Sequence, residues 1–101
     1  MLNVTVVAEV RPEFREQYKE AILRHAHNSF TREEGCLGFA VHCHESDPNR
    51  FFLYETYRSR KDFEDVHVVA PYLAEVNELT KPWVKTQELQ IWEKISPEQK
   101  K

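Results

Sequence analysis

Five histidines, two cysteines and one acid set among aromatic residues are the side chains of this sequence that bear chemistry. His42 and His44 fall on one face of an apparent strand, a spacing that a metal ion can use. His25 and His27 precede them on a helix, but at ~100° per residue they point about 200° apart. No carboxylate or further histidine stands where it completes a ligand set, so no metal site is expected. These four read as polar groups facing solvent or a partner subunit. Cys36 and Cys43 share one strand and alternate to opposite faces about 23 Å apart, too far to bridge. They read as small free thiols of a reducing compartment. Glu55 lies between Phe51-Phe-Leu-Tyr and Thr-Tyr57, where a buried acid needs a base or backbone N–H groups as partners. His67 stands just before Ala70-Pro71 and Tyr72 just after. At such a break an imidazole either caps a helix end or moves a proton near neutral pH.

These side chains need a scaffold, and 101 residues suffice for one domain with one core. A content of 41% hydrophobic and 12% aromatic residues argues for a packed core. The net charge is −3 with acids and bases interleaved, and no basic aromatic run suggests nucleic acid. No apolar run reaches the ~20 residues that span a bilayer. The N-terminus lacks a cationic segment and a cleavage site, so a cytoplasmic location is expected.

Leu2 to Val10 alternates Leu2, Val4, Val6 and Ala8 against Asn3, Thr5, Val7 and Glu9, the pattern of a strand with one apolar face. Arg11-Pro12-Glu13 opens a helix whose buried stripe is Phe14, Tyr18, Ala21, Ile22, Ala26 and Phe30, with Gly35 as a left-handed stop. A second strand at about Cys36–His44 puts Leu37, Phe39, Val41 and Cys43 on one side. A turn at Asp47-Pro48-Asn49 leads to a third strand at about Phe51–Arg58. Ser59 caps a short helix that breaks near Ala70-Pro71 and resumes to Lys81-Pro82. A fourth strand runs Trp83–Trp92, and Ser96–Lys101 is a polar tail, so the domain covers residues 1–95. The order β-α-β-β-α-β is the ferredoxin-like α+β arrangement, a four-stranded antiparallel sheet with helices on one face. The other face carries apolar side chains, and a second copy of the chain packed sheet to sheet would cover it.

Glu34-Gly-Cys-Leu-Gly-Phe39, Asp47-Pro48, Phe52-Leu-Tyr-Glu55-Thr-Tyr57 and Phe63 with His67 together resemble the antibiotic biosynthesis monooxygenase family, particularly its small quinol-monooxygenase-like members. The resemblance spans nearly the whole chain. It implies a dimeric α+β barrel with a pocket between helices and sheet in each subunit. It also implies oxygen chemistry on small aromatic substrates without metal, flavin or haem. The family's Pro-His pair is here Pro71-Tyr72. In the haem-degrading branch a Trp and an axial His stand where this chain has Val66 and Val76, which disfavours haem.

Oxygenation without a cofactor needs a base, an apolar cavity and hydrogen-bond donors to developing negative charge. Within the resemblance His67 is the base and Tyr72 the donor, with Tyr18, Phe30, Phe39 and Trp83 as walls of the substrate site. Glu55 would bind substrate or orient the base. Two other classes fit the scaffold. A small-molecule isomerase would use His67 with His27 on a phosphorylated sugar-like substrate and needs cationic groups in its cavity. A non-catalytic dimeric binding domain needs no cavity.

Overall fold

The structure, a computed structural model, describes residues 1–96; most of the polar tail expected at 96–101 lies outside the described residues. Strand β1 (Leu2–Val10) buries every second residue, Leu2, Val4, Val6, Ala8 and Val10. At roughly 1.5–3 kcal/mol per fully buried aliphatic side chain, this strand alone anchors the core. It pairs antiparallel with β3 (Arg50–Tyr57) on one side and β4 (Val84–Glu93) on the other. Strand β2 (Cys36–Cys43) completes a four-stranded sheet of order β2-β3-β1-β4. The fold is the expected antiparallel β-α-β-β-α-β. Trp83 belongs to a short 3-10 turn before β4 and not to the strand itself.

Helix α1 (Arg15–Arg32) follows a 3-10 turn at Pro12–Phe14 and lies across the sheet. Its buried face is Tyr18, Ala21, Ile22, His25, Ala26 and Ser29. Phe30, expected in that stripe, is 56% exposed, and His25 is 4% exposed rather than solvent-facing. The positions 18, 21, 22, 25, 26 and 29 recur at three and four residues, and Phe30 falls one position off that face.

Gly35 follows α1, but it has no left-handed φ. Its requirement is steric: a Cβ there would lie 2.2–2.5 Å from atoms of Asp62. Asp62 in turn holds Arg58 at 3.0 and 3.1 Å and Ser59 at 2.7 Å. The Ser59 hydroxyl accepts the Asp62 backbone N–H, as an N-cap should.

In β2 the register slips between Cys36 and Gly38. One extra residue there breaks the alternation, so Leu37 is exposed while Cys36 is buried in the core. The pairings Cys36 with Tyr57 and Cys43 with Phe51 then place both thiols on the helix side, not on opposite faces. Both are free, and Cys43 is exposed.

The second helical region begins with a π-turn, Asp62–His67. The Val68 N–H reaches back five residues to the Phe63 carbonyl at 2.9 Å. Ala70 is extended before Pro71, where a helical conformation would clash with the proline ring, and α2 (Pro71–Thr80) starts afresh. The break expected at Ala70-Pro71 is therefore present. No helix among the described residues is long and apolar enough to cross a membrane.

Candidate active site

Four elements converge under the break. The π-turn buries Phe63 and His67, stacked at 5.9 Å and 20° between their ring planes. Glu33, at the C-terminal end of α1, is buried against them. Strand β3 contributes Glu55 and Tyr57, and α1 contributes Tyr18 and His25. A cavity of about 240 Å³ opens between sheet and helices, lined in part by Tyr18, His25, Phe39, Glu55, Phe63 and His67. Leu73, Val76, Asn77 and Thr80 of α2 form its other wall.

His67 Nδ1 lies 3.1 Å from each oxygen of Glu33. A carboxylate only accepts, so Nδ1 carries a proton, and in the neutral ring the lone pair is then on Nε2. Nε2 is 3.7 Å from Glu55 Oε1, too long for a hydrogen bond. The Tyr57 hydroxyl donates to that same Oε1 at 2.7 Å, and the Tyr72 hydroxyl donates to Glu33 Oε2. Two hydrogen-bonded groups result, Tyr72–Glu33–His67 and Glu55–Tyr57, which face each other across a 3.7 Å gap.

Burial dominates the electrostatics. It pushes the Glu55 carboxyl up to about 7, offset in part by the Tyr57 hydrogen bond and reinforced by Glu33. It lowers His25 to about 4, with the nearby His67 adding to the effect. Tyr18 is raised to about 12 by burial and then by Glu55, so its hydroxyl stays protonated. Tyr57 and Tyr72 are raised further, burial first and their carboxylate partners next. Cys36 is raised to about 11, chiefly by burial, which makes it a poor nucleophile.

Of the residues singled out in the sequence, His67, Glu55, Tyr18 and Phe39 line the cavity. Tyr72 does not: its hydroxyl is committed to Glu33, and its ring packs edge-on to His25 at 5.8 Å and under the Arg32 guanidinium at 5.5 Å. It holds the carboxylate that partners His67 and does not face the cavity. His27 is exposed on the outer side of α1, and Trp83 stacks on Phe14 at 5.9 Å away from the cavity. His42 Nδ1 lies 3.2 Å from the Phe52 carbonyl oxygen, and His44 Nδ1 accepts the Ser46 N–H at 3.1 Å. Among the described residues no group of three or more His, Cys, Asp or Glu is arranged around a metal position.

Two residues of the site escaped sequence reasoning. Glu33 looks like half of an acidic pair ending an exposed helix, and nothing local marks it as buried. His25 carried a signal, its place on the Tyr18–Ala21–Ile22–Ala26 face. Its Nδ1 is the one buried side-chain polar atom without a hydrogen-bond partner among the described residues.

The antibiotic biosynthesis monooxygenase family model matches residues 1–78, which include the π-turn, His67 and Tyr72. Among solved structures, a candidate antibiotic biosynthesis monooxygenase of Nitrosomonas europaea is 28% identical, with a TM-score of 0.87 over 95% of this chain and 100% of that one. A similarly described protein of Deinococcus radiodurans has a TM-score of 0.91 at 17% identity, over 100% and 99% of the two chains. One of Bacteroides thetaiotaomicron has a TM-score of 0.88 at 21% identity, over 99% and 94%. At such identities these last two speak for the fold alone. No curated protein matches the sequence.

Proposed function

The chain belongs to the antibiotic biosynthesis monooxygenase family, and from that premise we propose that it oxidises a small, electron-rich phenol or hydroquinone with molecular oxygen, without metal, flavin or haem. The observation that carries this reading is the oriented base. His67 sits on the wall of a largely apolar cavity with Nδ1 held by both oxygens of Glu33. Its Nε2 accepts the phenolic proton, and Glu33 stabilises the imidazolium that forms. The phenolate then has the electron density to reduce oxygen. Tyr18, Phe39, Phe63 and Leu73 hold ring and oxygen together and limit water. A carbon–oxygen bond forms, giving a ring hydroperoxide, and O–O cleavage yields a quinone and water. A cavity of about 150 Å³ admits benzene, so about 240 Å³ suits a substrate of one or two rings.

The cavity also weighs against the other classes. Neither Lys nor Arg is among the residues lining it, which leaves a phosphorylated isomerase substrate uncompensated. A non-catalytic module would have a filled interior.

The test is oxygen uptake by chelator-treated protein with a series of substituted hydroquinones and phenols. His67→Ala should slow uptake by about 10²-fold or more. No uptake with any of these compounds, or a His67→Ala variant as fast as wild type, refutes the proposal.

The protein is also proposed to act as a homodimer. The sheet face away from the helices carries Val7, Phe52, Tyr54 and Trp92, partly or largely exposed, and a second copy would cover them. Sedimentation of the wild type as a dimer, and of Trp92→Glu as a monomer, is expected; a monomeric wild type refutes this.

A further inference from the structure

Oxygenation needs a base to start it and an acid to finish it, because the O–O bond breaks readily only if the departing oxygen is protonated. Glu33 and His67 account for the base. Glu55 has no assigned part in that chemistry, yet it lines the same cavity and is 4% exposed. Its backbone pairs with Val4 on one side and Phe39 on the other, so the centre of the sheet holds it rigidly. The Tyr57 hydroxyl donates to Oε1, which fixes the plane of the carboxyl group.

We propose that Glu55 is the resident acid of the site, delivering a proton to the distal peroxide oxygen as the O–O bond breaks. This rests on the monooxygenase reading above.

The surroundings of Glu55 suit the role. The titratable groups around it are Tyr18 and His25 from α1, Glu33 at its end, Cys36 from β2, Tyr57 from β3 and His67 from the π-turn. Val4, Val6, Phe39 and Leu89 add only apolar surface, Gln87 is uncharged, and no Lys or Arg lines the cavity. Burial and the Glu33 charge therefore favour the protonated acid, which persists up to about pH 7. Two carboxyl groups a few ångströms from one imidazole thus take different tasks, set by their environments. Glu33 holds the base and Glu55 holds a proton.

The balance closes. His67 takes the phenolic proton, two electrons from the ring form the C–O bond with oxygen, and the imidazolium returns its proton to the peroxide. His67 then removes the ring C–H proton. That electron pair forms the new C=O as the O–O bond breaks, and the distal oxygen leaves as water with the proton of Glu55. The imidazolium, with Nε2 3.7 Å from Glu55, restores the acid after a small movement. Four electrons leave the substrate and reduce oxygen to one product carbonyl and one water.

Glu55→Gln keeps an acceptor for Tyr57 and removes the proton. With a hydroquinone as probe, quinone formation should fall by about 10²-fold, while most of the oxygen still consumed should appear as released hydroperoxide. Infrared difference spectra of the wild type should show a protonated carboxyl band that titrates away near pH 7 and is missing from Glu55→Gln. A variant that converts oxygen to quinone at the wild-type rate overturns the role and leaves the monooxygenase reading standing. The same holds if wild-type Glu55 has no protonated band at neutral pH. A wild type that shows the band but consumes no oxygen overturns the monooxygenase reading and this role with it.

Discussion

Glu33 is the most informative residue to perturb, because it touches His67, the proposed base, without lining the main cavity. In Glu33→Gln the amide can turn an N–H toward His67 Nδ1. Nδ1 then becomes an acceptor, and the proton moves to Nε2, the nitrogen proposed to receive the substrate's proton. The charge that balances the imidazolium is lost as well. Two unit charges 3.1 Å apart at an effective dielectric of ~20 attract by about 5 kcal/mol, an upper bound before desolvation is counted. Taking about 3–4 kcal/mol as the part realised in the transition state, and ~1.4 kcal/mol per decade, the rate should drop 10²–10³-fold. Michaelis–Menten oxygen-uptake curves would place the loss in kcat with KM little changed, since Glu33 does not bind the ring. Matched circular dichroism spectra and unfolding midpoints would show that the fold survives. A Glu33→Gln enzyme within about threefold of wild type would mean that the carboxylate does not orient the base.

Tyr72→Phe removes one donor to Glu33 and nothing from the cavity. It should cost about 1 kcal/mol of stability by urea denaturation and lower kcat several-fold, far less than Glu33→Gln. Gly35→Ala pushes a Cβ into Asp62. It should destabilise the protein by roughly 1–3 kcal/mol, and a wild-type urea midpoint would show that the Asp62 side chain simply moves aside. The pH dependence of stability should contain two opposed contributions. Glu55 binds its proton more tightly folded (about 7) than unfolded (4.5), so its contribution is lost as pH rises through that window. His25 binds its proton less tightly folded (about 4) than unfolded (6.5), so its contribution grows as pH rises through that window. Between about 4.5 and 6.5 the two slopes cancel. Glu55→Gln should therefore uncover a rising limb and His25→Phe a falling one, measured as urea midpoints against pH. Parallel profiles for all three proteins would contradict this assignment of protons.

What was legible in the sequence follows from how local each cause is. The alternation of Leu2–Val10, the Ser59 cap and the break at Ala70-Pro71 each depend on a few neighbouring residues, and each stands where the pattern put it. His67 and Glu55 were legible as candidates because a titratable group at a helix break or among aromatics stands out. Glu33 was not, because its burial comes from His67, 34 residues away in sequence, and from Tyr72, 39 away. In β2 the grouping of Phe39, Val41 and Cys43 on one face holds. Leu37 and Cys36 were misplaced for a different reason: one inserted residue near Leu37 inverts the assignments before it, and the composition shows no trace of it. His25 was hidden by its neighbour His27; taken as a pair they suggested ligands, and taken singly only His25 lies on the buried face.

The π-turn is an α-helical turn with one residue too many. The angular position of His67 therefore depends on how many residues separate it from Ser59, whatever those residues are. Removing one exposed residue, such as Glu64 or Asp65, would take out the surplus and let the segment wind as an ordinary α-helix with the angle of His67 kept. Inserting one more there would swing the imidazole by about 100°, off Glu33 and out of the cavity. Substitutions at those exposed positions leave the count intact and should be tolerated; insertions should not. The site is thus guarded by chain length at a place where side-chain identity is almost free.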